Sequence, residues 1–264
     1  MSIPISLTGE SDRRDETEAM ENWLILDADD TLWENNIYFE KALEEFLTLL
    51  QPVTRDRPRV RNLLNEIERE SIPRRGYGSL NFIGALEETF RRLYAGQDGV
   101  AYLDAIRRIG DRLLHHPIDL LPGVLPTLQL LRRRHRLMLF TKGDAQEQAG
   151  KLLRSGLQDC FDHVEVAEEK DVGAYRELML RHSLDGNSTC MIGNSPRSDV
   201  LPALAAGLWA IFIPHPNTWE LEHQEVEPHP RLLHAESIQK IPSLLSRKDI
   251  FRADRTVPRR DGPF

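Results

Sequence analysis

Disulfide chemistry is nearly absent from this sequence: Cys160 and Cys190 are its two cysteines among 264 residues. Two thiols make no disulfide framework. Both stand in apolar surroundings, so buried thiols in a reducing compartment are expected. Also missing is any apolar run long and clean enough to span a bilayer. The opening "MSIPISLTGESDRRDETEAM" is polar and acidic and has no signal-peptide core. The expectation is a cytoplasmic protein with no membrane partner. Nor is there an excess of basic charge: 34 Lys and Arg face 42 Asp and Glu, a net charge of -8, which argues against a nucleic-acid partner. No internal repeat is visible. Hydrophobic content of 40% and charged content of 29% then leave a soluble globular chain, either one core with a large insertion or two modest domains.

Hydrophobic periodicity divides the chain. Residues 1–20 read as disordered, and "WLILD" (23–27) reads as a short, fully buried strand. From about 36 to 117, "IYFEKALEEFLTLL", "VRNLLNEIERE", "LNFIGALEETFRRLYA" and "GVAYLDAIRRIGDRLLHH" carry apolar residues at three- and four-residue spacing. This predicts four amphipathic helices and no strand. Pro117, Pro122 and Gly123 break the pattern. Beyond them, helices alternate with short apolar strands at 136–141, 163–166, 189–194 and 209–214, with "RLLHA" as a last edge strand and "IQKIPSLLS" as a last helix. Such alternation marks a parallel sheet covered on both faces. The predicted class is α/β, a Rossmann-like parallel sheet with helices on both faces, plus an all-α helical bundle. The expected organisation is a disordered 1–20, an α/β core of 21–34 and 119–246, a helical insertion of 35–118 and a flexible tail of 247–264.

In an open parallel sheet, ligands bind beyond the carboxyl ends of the strands. The first strand leads into "LILDADDTLW", where Asp27, Asp29 and Asp30 crowd together. Carboxylates this close are costly unless a cation or a shared proton compensates them. The second strand ends in Thr141, followed by Lys142 and Gly143; past the third lie Glu168, Glu169 and Lys170. The fourth ends in Gly193, Asn194 and Ser195, with Asp199 close behind. Carboxylates, a hydroxyl, an ammonium and a carboxamide can together hold a divalent cation and a phosphoryl group.

These motifs, in this order, resemble the haloacid dehalogenase superfamily, whose members are mostly phosphatases. The first motif is Asp27-Ala28-Asp29-Asp30-Thr31-Leu32, the second ends at Thr141, the third is Lys170, and the fourth is "GNSPRSD", ending in Asp199. The helical insertion has the family's cap position. The resemblance implies a Mg2+-dependent phosphatase that hydrolyses a small soluble phosphomonoester through an aspartyl-phosphate. Asp27 is then the nucleophile, and Asp29, with a raised pKa, the general acid and base. Thr141 and nearby backbone amides hold phosphoryl oxygens, and Lys170 neutralises charge. Asp27, the Asp29 carbonyl, Asn194 and Asp199 are the implied metal set. Asn194 departs from the family's usual acidic residue there, which bears on metal affinity.

Around this centre, Asp30 and Thr31 are expected to shape the turn. Lys142 and Gly143 are expected to line the pocket, and Lys151 to be solvated on its helix. His215 reads as structural. In "RRGYGSL" (74–80), Arg75 and Tyr77 are candidate substrate contacts, the arginine suited to a second anionic group. A small phosphorylated metabolite is the expected partner, and the chain is expected to be a monomer or homodimer. A phosphomutase, a dehalogenase and a weakly active phosphate-binding relative are the alternatives.

Overall fold

The computed structural model describes residues 3–4, 22–94, 96, 99–246 and 251. Its strands are β1 (Ile3–Pro4), β2 (Asn22–Leu26), β3 (His135–Lys142), β4 (His163–Ala167), β5 (Thr189–Gly193), β6 (Trp209–Phe212) and β7 (Leu232–His234). They form one sheet in the order β1-β4-β3-β2-β5-β6-β7. Six strands run parallel, and β1 pairs antiparallel with β4. Of the 1–20 segment read as disordered, Ile3–Pro4 thus form an edge strand; the rest lies outside the described residues, as does the 247–264 tail apart from Phe251.

The central strands are buried on both faces because their side chains alternate with period two. Leu24, Leu26, Leu137, Leu139, Cys190 and Ile192 enter one core cluster. The residues between them, Ile25, Met138, Phe140 and Met191, enter the other, with Tyr175 and Leu178. The covering helices are α5 (Val124–Leu131), α6 (Ala145–Ser155), α7 (Val172–Arg181), α8 (Leu201–Ala205) and α9 (Ile241–Leu245). Local chemistry sets α6: Asp144 caps its start by accepting from the Glu147 amide, and Gly156 ends it in the left-handed conformation.

Between β2 and α5 the chain makes α1 (Asn36–Leu49), α2 (Arg57–Arg75), α3 (Ser79–Leu93) and α4 (Val100–Leu114). Their apolar faces meet in a cluster of their own, with Phe46, Leu50, Leu64, Leu86 and Ile106 at its centre, sharing no residue with the sheet clusters. The chain leaves and re-enters the α/β unit side by side. Trp33 bridges Leu120, the Glu34 amide donates to Asp119 O, and the Leu121 amide donates to Leu32 O. Both cysteines are free and buried. Among the described residues, no helix is long and apolar enough to cross a membrane.

Candidate active site

β2 lies between β3 and β5, where strand order reverses, and such a switch point opens a crevice at the strands' carboxyl ends. Register fixes what meets there. Leu26 pairs with Leu139 and Ile192, so Asp27 and Asn194 emerge just beyond β2 and β5, beside Thr141 near the end of β3. A cavity of ≈ 160 Å³ lies between these ends and the helices α1, α2 and α3. Asp27, Asp29, Thr141, Lys142, Gly143, Lys170, Asn194, Asp199 and Tyr77 all line it. Arg75 does not; it is exposed at the last residue of α2.

Lys170 is 1% exposed and is the charge centre of the cluster. Its Nζ donates to Asp27 Oδ1 at 2.8 Å, to Phe140 O at 3.0 Å and to Asp199. Burial opposes its charge, but Asp199 and Asp27 outweigh that and push its pKa above the ordinary lysine value. Asp199 has both oxygens committed, one to Lys170 and one to the Ser195 amide at 2.9 Å. Burial and the nearby Asp27 raise its carboxyl to about 7. Asp199 therefore stands behind Lys170 as its orienting partner.

Thr31 does more than shape a turn. Its Oγ1 lies 3.0 Å from Asp27 Oδ2 and 3.2 Å from Asn194 Oδ1. One hydroxyl proton cannot serve both acceptors, so two hard oxygens converge with one donor between them. Asn194 Nδ2 donates to Thr218 Oγ1 at 3.1 Å, which leaves its oxygen facing Thr31. Asp27 Oδ2 and Asn194 Oδ1 are hard oxygens of the kind that could hold Mg2+, which favours few protein ligands and retained waters. Asp30 shapes the turn as expected, with a φ of 58°, and its carboxylate also accepts from the Asn35 and Asn36 amides at the start of α1.

Asp29 differs most from its expectation. Its carboxylate receives Lys151 Nζ at 3.0 and 3.1 Å, Gln148 Nε2 at 2.9 Å and Trp33 Nε1 at 2.7 Å. Burial alone raises its pKa, but Lys151 and these donors together hold it below the ordinary 3.8 rather than above it. Lys151, expected in solvent, is 2% exposed. It also donates to Asn35 Oδ1 at 2.7 Å and lies 3.5 Å from Glu147. Its only sequence signal is the spacing of Gln148, Lys151 and Leu152, which puts two polar residues on the buried face of α6.

The remaining expectations sort by geometry. Lys142 lines the cavity but is committed: its Nζ donates to Glu222 at 2.5 Å and Ser198 at 2.9 Å and lies over the Tyr77 ring. Glu222, outside any periodic segment, gave no sequence signal. Gly143 lines the cavity with its amide donating to Ala167 O at 3.1 Å, and the glycine is needed for its φ of 142°. Tyr77 Oη donates to Glu169 at 2.5 Å, and its ring meets Trp219 edge-on. Next to it, Ser79 at the start of α3 donates its amide and hydroxyl to Glu147, both at 2.9 Å. Gly78, between Tyr77 and Ser79, adopts a φ of 116°, a conformation that favours glycine. His215 lies outside the cavity lining, near Asp30 and Glu34.

Glu68 is 7% exposed on the α2 wall of the cavity. Burial pushes its carboxyl up to about 7, with Arg69 opposing and Glu40 assisting. The folded chain holds this proton more tightly than the unfolded one. The resulting stability is therefore complete below about pH 4.5 and is lost as pH rises through about 7. Glu68→Gln is expected to melt with wild type at pH 5 and about 2–4 °C above it at pH 8, the shift that ~1 kcal/mol gives a chain of this size. A difference in melting temperature that stays constant with pH would show that Glu68 does not titrate in this range.

A switch-point cavity that carries an aspartate beyond the central strand and a buried lysine bound to it is the site of a hydrolase built on a parallel α/β sheet. The family model of haloacid dehalogenase-like hydrolases matches residues 22–207, and the chain belongs to this family. Among curated proteins, it is 30% identical over 94 residues to the pyrimidine 5'-nucleotidase YjjG of Escherichia coli, covering 33% of this chain and 42% of that protein. It is 32% identical over 112 residues to a glyceraldehyde 3-phosphate phosphatase of Methanothermobacter thermautotrophicus, covering 40% and 49%. The chain thus spans about half the length of the curated relatives it matches. A haloacid dehalogenase-like hydrolase from Xanthomonas campestris superposes with a TM-score of 0.75 at 27% identity, over 89% of this chain and 94% of that one. A 2-haloacid dehalogenase from Pseudomonas syringae shares the fold, with a TM-score of 0.54 at 22% identity over 86% and 99%.

Proposed function

We propose that the protein is a Mg2+-dependent phosphatase that hydrolyses a small phosphomonoester through an aspartyl-phosphate. The observation that carries this reading is the Asp29 carboxylate on the cavity wall, two residues beyond Asp27, held by Lys151, Gln148 and Trp33. Displacement of halide from carbon needs the nucleophile alone. Cleavage of an ester needs a second group that moves a proton to and from oxygen. The phosphatase and nucleotidase names of the two curated relatives point the same way. The two buried free thiols suit a cytoplasmic setting.

Asp27 attacks phosphorus, the ester P–O bond breaks, and the leaving oxygen takes a proton from Asp29. Water, deprotonated by Asp29, then releases phosphate and restores Asp27. The donors around Asp29 favour its carboxylate, which suits the second step. In the first step, an arriving phosphoryl dianion raises its pKa by repulsion and promotes proton uptake. Lys170 holds and aims Asp27, and Thr141 offers its hydroxyl at the end of β3. Asp27, the Asp29 carbonyl and Asn194 would hold Mg2+, while Asp199, with both oxygens committed, stays behind Lys170. Bound there, the ion supplies charge neutralisation for the phosphoryl oxygens.

Phosphate release from a panel of phosphomonoesters, with Mg2+ and with a chelator, tests this reading, with 2-chloropropionate as control. Mg2+-dependent phosphate release is expected; release of chloride without phosphate release would overturn the reading. Asp29→Asn is expected to lose about 10²-fold on alkyl phosphates and less than about tenfold on aryl phosphates, whose leaving groups need little acid assistance. Burst and steady-state rates should both be followed, and equal losses on the two classes would remove Asp29 from the acid role.

A further inference from the structure

The cap-side half of the cavity has no uncommitted cation among the described residues. The cationic residues lining the cavity are Arg61, Lys142, Lys151 and Lys170, each ion-paired: Arg61 to Glu40, Lys142 to Glu222, Lys151 to Asp29, and Lys170 to Asp27 and Asp199. Arg74 and Arg75, which could have read a second anion, are exposed and line no part of it. The α2 wall carries Glu68, which is buried, and Asn65, whose Nδ2 donates at 2.9 Å to Oε2 of the exposed Glu220 from the segment after β6. Asn81, 6% exposed on α3, also lines the cavity, and its Oδ1 is buried without a hydrogen-bond partner. An orphaned carbonyl oxygen costs about 1–3 kcal/mol until a donor reaches it. Phe39, Leu43, Leu64, Ile72 and Phe82 supply apolar surface between these polar groups.

Above about pH 7, where Glu68 is ionised, a second phosphate or a carboxylate placed here would meet a buried carboxylate with no free cation among the described residues to offset it. A hydroxyl or amide N–H would instead meet acceptors. We propose that the cap end of the cavity is a subsite for an uncharged, hydroxyl- or amide-bearing alcohol, the leaving group of the phosphomonoester. Glu68 and Asn81 read its donors, and substrates with a second anionic group are rejected. This rests on the phosphatase reading and narrows it to esters whose single charged group is the phosphate.

Matched pairs test it: glycerol 3-phosphate against 3-phosphoglycerate, and glucitol 6-phosphate against 6-phosphogluconate. Each pair differs by a carboxylate far from the phosphate. With the full chain and Mg2+, kcat/KM is expected to favour the uncharged member at least about tenfold, or about 1.4 kcal/mol. Equal or reversed values overturn the proposal. A second arm needs no turnover. Calorimetric titration of Asp27→Asn with the same four esters is expected to show the same preference in Kd, and equal binding or none of either member overturns it. Failure of every ester to release phosphate with wild type, together with preserved preference in calorimetry, would sink the phosphatase reading and leave the subsite standing. Glu68→Gln, with Glu68→Ala as a second variant, is expected to narrow the preference at least about threefold; an unchanged ratio in both removes Glu68 from the subsite.

Discussion

Asp27→Asn is expected to reduce phosphate release by about four orders of magnitude or more while leaving the protein folded. An amide oxygen is a poor nucleophile and forms no acyl-phosphate, so the two-step route is lost rather than slowed. The fold should survive because the amide can still accept from Thr31, and Lys170 keeps Asp199 as counter-charge. Melting temperature and phosphate release measured on one purified sample check both halves. Residual turnover within tenfold of wild type, free of revertant protein, would take the nucleophile role away from Asp27.

Lys170→Met is expected to cost more stability than any other single change at the site, about 3–5 kcal/mol at pH 8, because it leaves two buried carboxylates without their shared cation. The loss should shrink on acidification. Asp199 already has a carboxyl raised to about 7 from the ordinary 3.8, and loss of the ammonium raises it further. A raised folded-state value means that protonation stabilises the fold, fully below about pH 4 and less as pH climbs through about 7. The deficit against wild type should therefore widen from pH 5 to pH 8 in chemical denaturation. A deficit that is flat with pH would show that the carboxylates find another counter-charge.

The architecture was readable because buried strands and amphipathic helices write different periods into the chain. All six parallel strands fall within a few residues of their expected places, and the helices between β2 and α5 follow the three- and four-residue spacing of their apolar positions. Strand ends then located Asp27, Thr141, Lys170 and Asn194, since a parallel sheet delivers such residues to one edge whatever the loops do. Lys151 escaped because α6 looks like any covering helix with a solvated lysine. Its burial is decided by Asp29, a partner far away in sequence, and no local pattern carries that. Glu222 lies in a stretch with neither period. Arg75 failed in the opposite direction. Its loop does reach the cavity through Tyr77, but the last residue of α2 points to solvent, and one step along a helix end turns a side chain through about 100°.

The placement of β2 has a consequence for how the chain acquires its structure. The strand at the middle of the sheet is the first of the parallel strands to be synthesised, yet Leu26 finds its neighbours only at Leu139 and Ile192. Until both arrive, an apolar strand has no sheet to join, and non-local pairings of this kind are slow to form. The helices α1–α4 meet mainly through contacts with one another and can assemble during the wait, which shortens the effective loop that β2 must close. Refolding from denaturant should accordingly show far-UV helical signal returning before the fluorescence change of Trp33, which is fully buried where the two units join. Chains interrupted before β5 should expose β2 and aggregate.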